Sequence, residues 1–590
     1  MFFIIFIIGT LGIVLPLVWI VREIKAINFW LYVWQLKEYH PGRFADYFRT
    51  AKGKEAIFNK LLYIKILLLV LSLGFSFFAD LLFSQEDLAW ELQDSIFYYG
   101  TTILFVAIFL VYLLQAARVV SDSIQKKLIL PAATKKIVLL RIVIVAVTIL
   151  FLAAPILIAS LGRFEFLVNL GVGSIQGFLL FDIFTPLIVS VVVLGFQPIA
   201  VLGRNRIIQK AKRKRAKMKN LKVVGITGSY GKTTTKEILA HVLSQRFKVV
   251  KTPEHKNSEV GISQVVLNSL TDVHDIFVCE MGAYNKGGIK LLADIVKPHI
   301  GIVTGVNEQH LATFGSMENL LSAEGGKELV ESLPKDGVVI LNGNSRYCRD
   351  LYEKIEKPRK ILCNTFGAIA PNVLMPKADI WAEDVRIAKE NISFNVEIED
   401  GEKADFKVNL IGSHNVENIL LAVAAAKELG MSLQEIAKAC ESITQEMGAM
   451  KLRKAIGGLN IIDSTYSANP DGVIAALEYL KVWKGRKAIV MPCLIELGKA
   501  SKEVHYRIGE KIGEVCDVAI ITTKDWFDEL KQGAMGKGME EGQILFQEDP
   551  QKIFDMIKNI NQQSDVLLLE SRVPLPLLES LKLNSYVTSY

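Results

Sequence analysis

The chain has 590 residues, 51% hydrophobic and 22% charged, with a net charge of +7. At roughly 150 residues per domain that is too long for one domain. The apolar balance excludes a disordered chain and is too high for an ordinary soluble one. The cysteines (Cys279, Cys348, Cys363, Cys440, Cys493 and Cys516) all follow residue 220 and form no CxxC pair, so reduced thiols are expected rather than a secreted disulfide framework.

In chain order, Phe2–Val21 is almost purely apolar and lacks the basic start and small-residue cleavage pattern of a signal peptide. Further apolar runs follow at Leu61–Ala79, Phe97–Val119, Ile137–Leu161 and Gly177–Leu202. Each is long enough to cross a hydrocarbon core of roughly 30 Å, which predicts five spans within residues 1–203. The stretch Phe164–Gln176 reads as interfacial. Trp30, Tyr32, Trp34 and Tyr39 suit an anchoring helix at the membrane surface. Asp182 falls inside the fifth run, either as a functional intramembrane carboxylate or near the outer interface.

Loop charge predicts the orientation. Arg22 to Lys60 is rich in Lys and Arg, and so is Arg118 to Lys136. The loop between them at 86–94 carries Glu86, Asp87, Glu91 and Asp94 without a cation, and the fourth loop has only Arg163. The alternation places the N-terminus outside and residues 203–590 in the cytoplasm, on a multi-pass plasma-membrane protein. Residues 204–220, RNRIIQKAKRKRAKMKN, hold nine cations. Next to a span, this run reads as a basic juxtamembrane linker facing anionic lipid, not as a nucleic-acid site.

From Leu221 short β-branched runs alternate with helical segments, the rhythm of βαβ units. Strands are predicted at Lys222–Thr227, Ile276–Glu280, Ile300–Thr304, Val338–Asn342, Asn460–Asp463, Ala488–Met491, Val518–Thr522 and Val566–Leu569. Helices include Asp471–Trp483 and Lys502–Val515, and residues 370–410 read as a β-rich insertion. The first strand runs into GITGSYGKTTTKEIL, residues 225–239. The strict GxxxxGK[ST] spacing is not met, yet the physics of a phosphate-binding loop is kept. Gly228 and Gly231 free the backbone N–H groups of Ser229 and Tyr230, and the helix opening at Lys232-Thr233-Thr234 turns its positive end to an anion. Lys232 can reach nucleotide phosphates and the Thr233 hydroxyl can bind Mg²⁺.

TGSYGKTTTKE resembles the ATP loop of the Mur ligases, which join an amino acid or peptide to a carboxylate in cell-wall precursor synthesis. The likeness covers about residues 221–530. It is nearest the branch that adds D-alanyl-D-alanine to UDP-N-acetylmuramoyl-tripeptide. TPEHKNSEVG (252–261), EMGAYNKGGI (280–289), VNEQHLATFGS (306–316), GSHNVENILLAVAAA (412–426), DSTYSANPDGV (463–473) and IELGKASKEVH (495–505) are similar to the family's successive motifs. The resemblance implies catalytic roles for Lys232, Glu280 and His310, and metal contacts from Thr233, Glu280 and His310. It also implies nucleotide contacts from Asn415, Asn418, Asp463 and Tyr466, and a substrate contact from Asn257. ATP and Mg²⁺ are the implied cofactors.

Some positions depart from the family pattern. A carbamylated lysine usually supports the second Mg²⁺. Here SAEGGKELVESLP (322–334) offers Glu324 as a carboxylate stand-in, or Lys327 one place from the usual position. The arginine of a Gly-Arg pair is Ala449, with Arg453 as a candidate replacement. Ser464 stands where the family has a second aspartate, and PCLIELG lacks its Gly-Asp-Met. The spans and basic run leave no room ahead of the ATP loop for the family's UDP-binding domain.

The expectation is an α-helical membrane domain (1–203), a basic linker (204–220), a P-loop-type α/β ATP-binding domain (221–450) and a Rossmann-like α/β domain (451–590). The expected activity is a membrane-tethered amide ligase of peptidoglycan precursors, with a muropeptide acceptor and D-alanyl-D-alanine or a similar amine. The alternatives are a lipid-linked or polyglutamate-type substrate for the same chemistry, and a non-catalytic nucleotide-binding scaffold.

Overall fold

A computed structural model describes residues 2–37, 39–83, 90–125, 127–160, 175–365, 377–455, 458–466, 469–558 and 564–583. The chain forms two compact units, Met1–Leu202 and Gly203–Tyr590.

The first unit is helical: α1 (Phe2–Leu36), α2 (Pro41–Tyr47), α3 (Ala51–Ile57), α4 (Lys60–Phe83), α5 (Trp90–Ile124), α6 (Lys135–Ser160) and α7 (Ile175–Gly195), followed by the start of α8 (Gln197–Lys217). Among the described residues four stretches are long and apolar enough to cross a membrane: Ala51–Phe78, Tyr99–Ile124, Lys135–Ala154 and Gln176–Lys217. The remaining predicted run, Phe2–Val21, opens α1. Most of the expected interfacial stretch 164–176 lies outside the described residues. Outward faces carry exposed Leu67, Phe77, Ile103, Leu114, Ile142 and Val191.

The aromatic segment after the first run is not a separate helix. It continues α1, and Trp30 and Trp34 are buried against Ile137, Leu140, Val189 and Val193. Trp34 donates from Nε1 to Ser190 Oγ at 3.0 Å and stacks on Phe44 at 3.9 Å between ring centroids. Helix packing consumed these rings, because α6 and α7 offer them more apolar contact than a single surface helix can. Asp182 is also internal. It is paired with Arg22 and Lys65 and accepts from the Tyr112 hydroxyl at 3.1 Å.

The second unit contains two sheets. The first comprises β1 (Lys222–Thr227), β2 (Val249–Lys251), β3 (Ile276–Glu280), β4 (Ile300–Val303), β5 (Val338–Asn342), β6 (Arg359–Thr365), β7 (Ile380–Ile387), β8 (Ile392–Ile398) and β9 (Lys403–Val408). Their order is β2-β3-β1-β4-β5-β6-β7-β8-β9. The pairs are parallel up to β7, and β7-β8-β9 is the antiparallel insertion expected near 370–410. β1 lies between β3 and β4, where strand order reverses, so the crevice beyond its C-terminal end is where a doubly wound sheet places a ligand. The alanine-rich helix His414–Glu428 is buried along one face.

The second sheet comprises β10 (Lys451–Lys454), β11 (Asn460–Ser464), β12 (Lys487–Met491), β13 (Val518–Ile521), β14 (Ile544–Phe546) and β15 (Val566–Glu570), in the order β10-β11-β15-β12-β13-β14. Only β10 runs antiparallel to its neighbour. All six cysteines are buried and unpaired.

The basic run is not a free linker. Residues 203–217 are helical, and Ile208, Ala211 and Arg215 are buried in the core of the second unit beside Val223 and Val296. The Arg215 guanidinium donates to the carbonyls of Val296 (2.7 Å), Met218 (2.7 Å) and Leu221 (3.1 Å). Lys214 donates to the Leu267 carbonyl at 2.8 Å. Arg206, Lys210, Arg213, Lys217 and Lys219 remain exposed.

Glu570 closes β15 inside the core. Burial pushes its carboxyl up to about 8, against the Ser464 hydroxyl and Ser571 N–H, which favour ionisation. The unfolded carboxyl titrates near 4.5. Between those values the folded state holds a proton that the unfolded state has lost, so stability falls as pH rises, with the full penalty above about 8. Glu570→Gln keeps the shape and removes the titration. It should raise Tm most at pH 8, at roughly 2–4 °C for each kcal/mol recovered, and the gain should vanish towards pH 4.5. Thermal melts across that range check this, and a gain independent of pH would contradict it.

Candidate active site

The loop after β1 is built around two glycines with positive φ, Gly228 at 139° and Gly231 at 75°. A Cβ at Gly228 would run into Thr304 and the Gly305 backbone, and one at Gly231 into the Asn418 amide. The chain can therefore make this turn only with glycine at both places. It then enters the helix Lys232–Ser244, whose first N–H groups point into the crevice.

Side chains converge on this loop in two groups. In the first, Thr233 Oγ1 donates to Glu280 Oε2 at 3.0 Å, and Asn257 Nδ2 donates to Glu280 Oε1 at 3.1 Å. Lys236, fully buried, places Nζ 3.2 Å from the same carboxylate. Burial opposes ionisation of Glu280, but Lys236, Lys232 and the Asn257 amide outweigh it, and the carboxyl sits below its ordinary value. In the second, Ser229 Oγ donates to Glu324 Oε2 at 3.0 Å, and Lys232 Nζ lies 3.9 Å from Glu324 Oε1 while bonding to the Gly228 carbonyl. His310 Nδ1 is 3.3 Å from Glu324, and its Nε2 is 3.9 Å from Glu496 Oε2. Burial of Glu324 is likewise overcome by Lys232, His310 and Ser229, so its carboxyl also titrates low. The loop is thus flanked by two buried carboxylates held in their charged forms.

The two lysine-site candidates separate here. Glu324 follows the helix Met317–Ala323 and is 1% exposed at the site. Lys327 starts the next helix after Gly325-Gly326, with Gly326 at φ 91°, and points away. Its side chain is 65% exposed and meets Glu331 at 4.0 Å. The glycine pair breaks the helix that would otherwise carry a lysine into the crevice.

Asn415 and Asn418 lie behind the loop. Asn415 is fully buried, donating to the Ile411 carbonyl at 2.8 Å and accepting from Asn418 at 3.1 Å. Asn418 in turn accepts from Thr235 Oγ1 at 3.2 Å. This places them directly behind the loop and its helix, where the helix His414–Glu428 packs its buried face on Lys232–Ser244. Thr234 is buried too. Tyr230 is half-buried, its ring over Gly305. His414 is half-buried, and desolvation lowers it to about 4, so the imidazole is neutral.

The second sheet supplies the opposite wall. Asp463 accepts from Thr465 N and Oγ1, and Tyr466 is exposed with its ring 5.9 Å from that of His255. Asn307 donates to Asn469 at 3.3 Å and Asp471 at 2.9 Å, and Ala312 N donates to the Glu496 carbonyl at 3.1 Å. Arg453 is engaged by Glu446 at 2.7 Å on β10. Lys236, Asn307 and Glu496 were not singled out from sequence. Lys236 stands four residues after Lys232 on one helix face, a spacing that could have found it; Asn307 and Glu496 fall within recognised motifs.

Residues 226–426 match the Mur ligase middle domain, and residues 450–572 match the Mur ligase glutamate ligase domain. The chain carries Mur ligase middle and C-terminal domains. The UDP-N-acetylmuramoyl-tripeptide–D-alanyl-D-alanine ligase of Bacillus subtilis (strain 168) is 28% identical over 363 residues, 61% of this chain and 75% of the relative. The enzyme of the same name from Synechocystis is 32% identical over 293 residues, covering 49% and 59%. Among solved structures, MurF from Acinetobacter baumannii superposes with a TM-score of 0.57 at 25% identity, covering 65% of this chain and 80% of that one. MurF from Thermotoga maritima, in complex with ADP, gives 0.54 at 25%, covering 64% and 83%. The chain therefore spans between 59% and 75% of the two sequence relatives. Both sequence relatives are named as ligases, and the Thermotoga maritima structure holds ADP.

The donor set around the Mur ligase loop fits Mg²⁺. Thr233 and Glu280 offer hard oxygens 3.0 Å apart, and Glu324 is a second charged carboxylate. Among the described residues no three His, Cys, Asp or Glu side chains form a cage of their own. Mg²⁺ needs none, since it takes one or two carboxylates and completes its shell with phosphate and water.

Proposed function

We propose that the protein is a membrane-tethered, ATP-dependent amide ligase of peptidoglycan precursor synthesis, most like the enzymes that add D-alanyl-D-alanine to UDP-N-acetylmuramoyl-tripeptide. The observation that carries this reading is the pair of ionised, buried carboxylates, Glu280 and Glu324, flanking a loop whose lysine and helix N-terminus face the same crevice.

Amide formation from a carboxylate needs activation, because its oxygen leaves poorly. An acceptor carboxylate oxygen attacks the γ-phosphorus of ATP, ADP departs, and an acyl phosphate remains. The amine nitrogen then attacks the acyl carbon, inorganic phosphate leaves, and the amine gives up a proton. Lys232 and the loop N–H groups orient and neutralise the phosphates, which is most of what phosphoryl transfer asks of a protein. Bound Mg²⁺ would supply further neutralisation of phosphate charge, held by Thr233 and Glu280 and, at a second position, by Glu324 and His310. Asn257 fixes the Glu280 carboxylate, and Tyr466 and Asp463 close the site from the second sheet.

Membrane tethering is supported by the four apolar helical stretches, their exposed apolar outer faces and the charge alternation of the loops. In a cysteine-free background, a cysteine near Asp87 should react with an impermeant reagent from outside, while cysteines near Lys127 and Lys212 should be protected. Reaction near Lys212 from outside would defeat the orientation.

The activity is tested with full-length protein in detergent, D-alanyl-D-alanine as amine, and UDP-linked or lipid-linked muropeptide tripeptide as acceptor. Amine-dependent phosphate release with the UDP-linked acceptor is the expected result. Activity on the lipid-linked acceptor alone would keep the chemistry and change the substrate. Release with neither acceptor nor any of a panel of amines would leave the non-catalytic scaffold. A version beginning at Gly203 keeps the buried Ile208–Arg215 helix and asks whether the spans are only an anchor.

A further inference from the structure

The first unit contains a cavity of about 380 Å³ between α1, α3, α4, α5 and the segment after α5. That lies in the size range of small-ligand sites, roughly 300–1,000 Å³. One side is apolar, formed by Phe29, Trp30, Leu61, Val119 and Ile129. The other carries Arg22, Lys25, Arg118 and Lys127.

The charges do not cancel. Arg22 is spent on Asp182 and on Glu23 at 2.8 Å, and the neighbouring Lys65 on Asp182. Gln115 Oε1 accepts from both cations, at 3.2 Å and 3.0 Å. Two cations and two carboxylates thus form a neutral floor. At the mouth, Lys25 pairs with Asp122 at 2.7 Å, and Arg118 and Lys127 act on that same carboxylate. Three cations share one acid, and the exposed Arg118 and Lys127 leave an excess positive charge beside an apolar wall. Leu61 and Ile129 are exposed at its edge.

We propose that this cavity binds the phosphate-bearing headgroup of an anionic membrane lipid, its chains leaving over Leu61 and Ile129. The inference rests on the membrane-spanning reading. By loop charge, every cavity element lies at the cytoplasmic end of the spans, where basic pockets between helices meet anionic headgroups. A free phosphate would have no use for the apolar wall, and a zwitterionic headgroup carries its own cation.

The test uses full-length protein in nanodiscs of phosphatidylcholine doped with phosphatidylglycerol or, separately, a polyprenyl diphosphate, with retained lipid read by native mass spectrometry. One of the anionic lipids should be retained over phosphatidylcholine. Arg118→Ala with Lys127→Ala should lower retention roughly 30-fold, about fivefold for each cation. Both side chains are exposed, so unchanged melting is expected, and Arg118→Glu should do the same if it folds. Lys210→Ala with Arg213→Ala, in the basic run, should change nothing. Equal retention of all lipids, insensitivity to the Arg118 and Lys127 variants, or loss through the Lys210 and Arg213 pair overturns the proposal. Displacement of the lipid by millimolar inorganic pyrophosphate overturns its lipid part. Release of the protein from membranes by alkaline carbonate would instead overturn the membrane reading itself.

Discussion

Lys232→Ala is expected to abolish acceptor-dependent ATP turnover, by a factor of at least about 10²–10³, while leaving the fold intact. The factor follows from the loss of one preorganised charge at the transferring phosphate. The fold should survive because the ammonium touches the Gly228 carbonyl and Glu324 rather than apolar core. One secondary effect follows from the geometry. Lys232 is the leading charge that holds the Glu324 carboxyl down against burial, so its removal should let that carboxyl titrate higher. The sign is fixed: a depressed carboxyl is ionised above its ordinary value near 4.5 and loses charge only as pH falls through the lower folded value. The residual activity of the variant should therefore fail at a higher pH than that of the wild type. Phosphate release over a pH series measures both effects, and amide formation at the wild-type rate would refute the assignment of the loop.

Glu324→Gln is expected to raise the Mg²⁺ concentration needed for half-maximal activity, by about tenfold or more, the size of a lost supporting contact at a metal site. A neutral amide is a weak ligand for a hard cation, and it also leaves His310 and Lys232 without their shared counter-charge. Added bicarbonate should make no difference to the wild type. Lys327→Ala should be close to wild type, because that side chain is exposed and faces Glu331. The opposite pattern, an inactive Lys327→Ala rescued by short-chain carboxylic acids, would place a carbamylated Lys327 at the metal instead.

Much of this protein was legible in local pattern. Strands at Lys222–Thr227, Ile276–Glu280 and Val338–Asn342 match the predicted limits, because short β-branched runs between turns encode a buried parallel strand directly. The loop 228–232 was legible for a similar reason: glycines at fixed spacing before a helix specify a backbone path whatever surrounds it. Short edge elements such as β2 and β14, three residues each, carry too little pattern to be read.

The sequence by itself determined which residue types stand at the loop, where the apolar runs lie and how charge alternates between them. These are properties of neighbours along the chain, and periodicity and composition record them. Only the tertiary structure decided between Glu324 and Lys327, since the left-handed turn at Gly326 sets which of two residues three apart enters the crevice. It turned Asn415 inward behind the loop, gave Trp30 and Trp34 a core instead of a surface, and folded Arg215 out of a basic run onto three carbonyls. In each case the side chain's partner lies on another element, and its distance is set by how helices and strands pack rather than by the residues beside it.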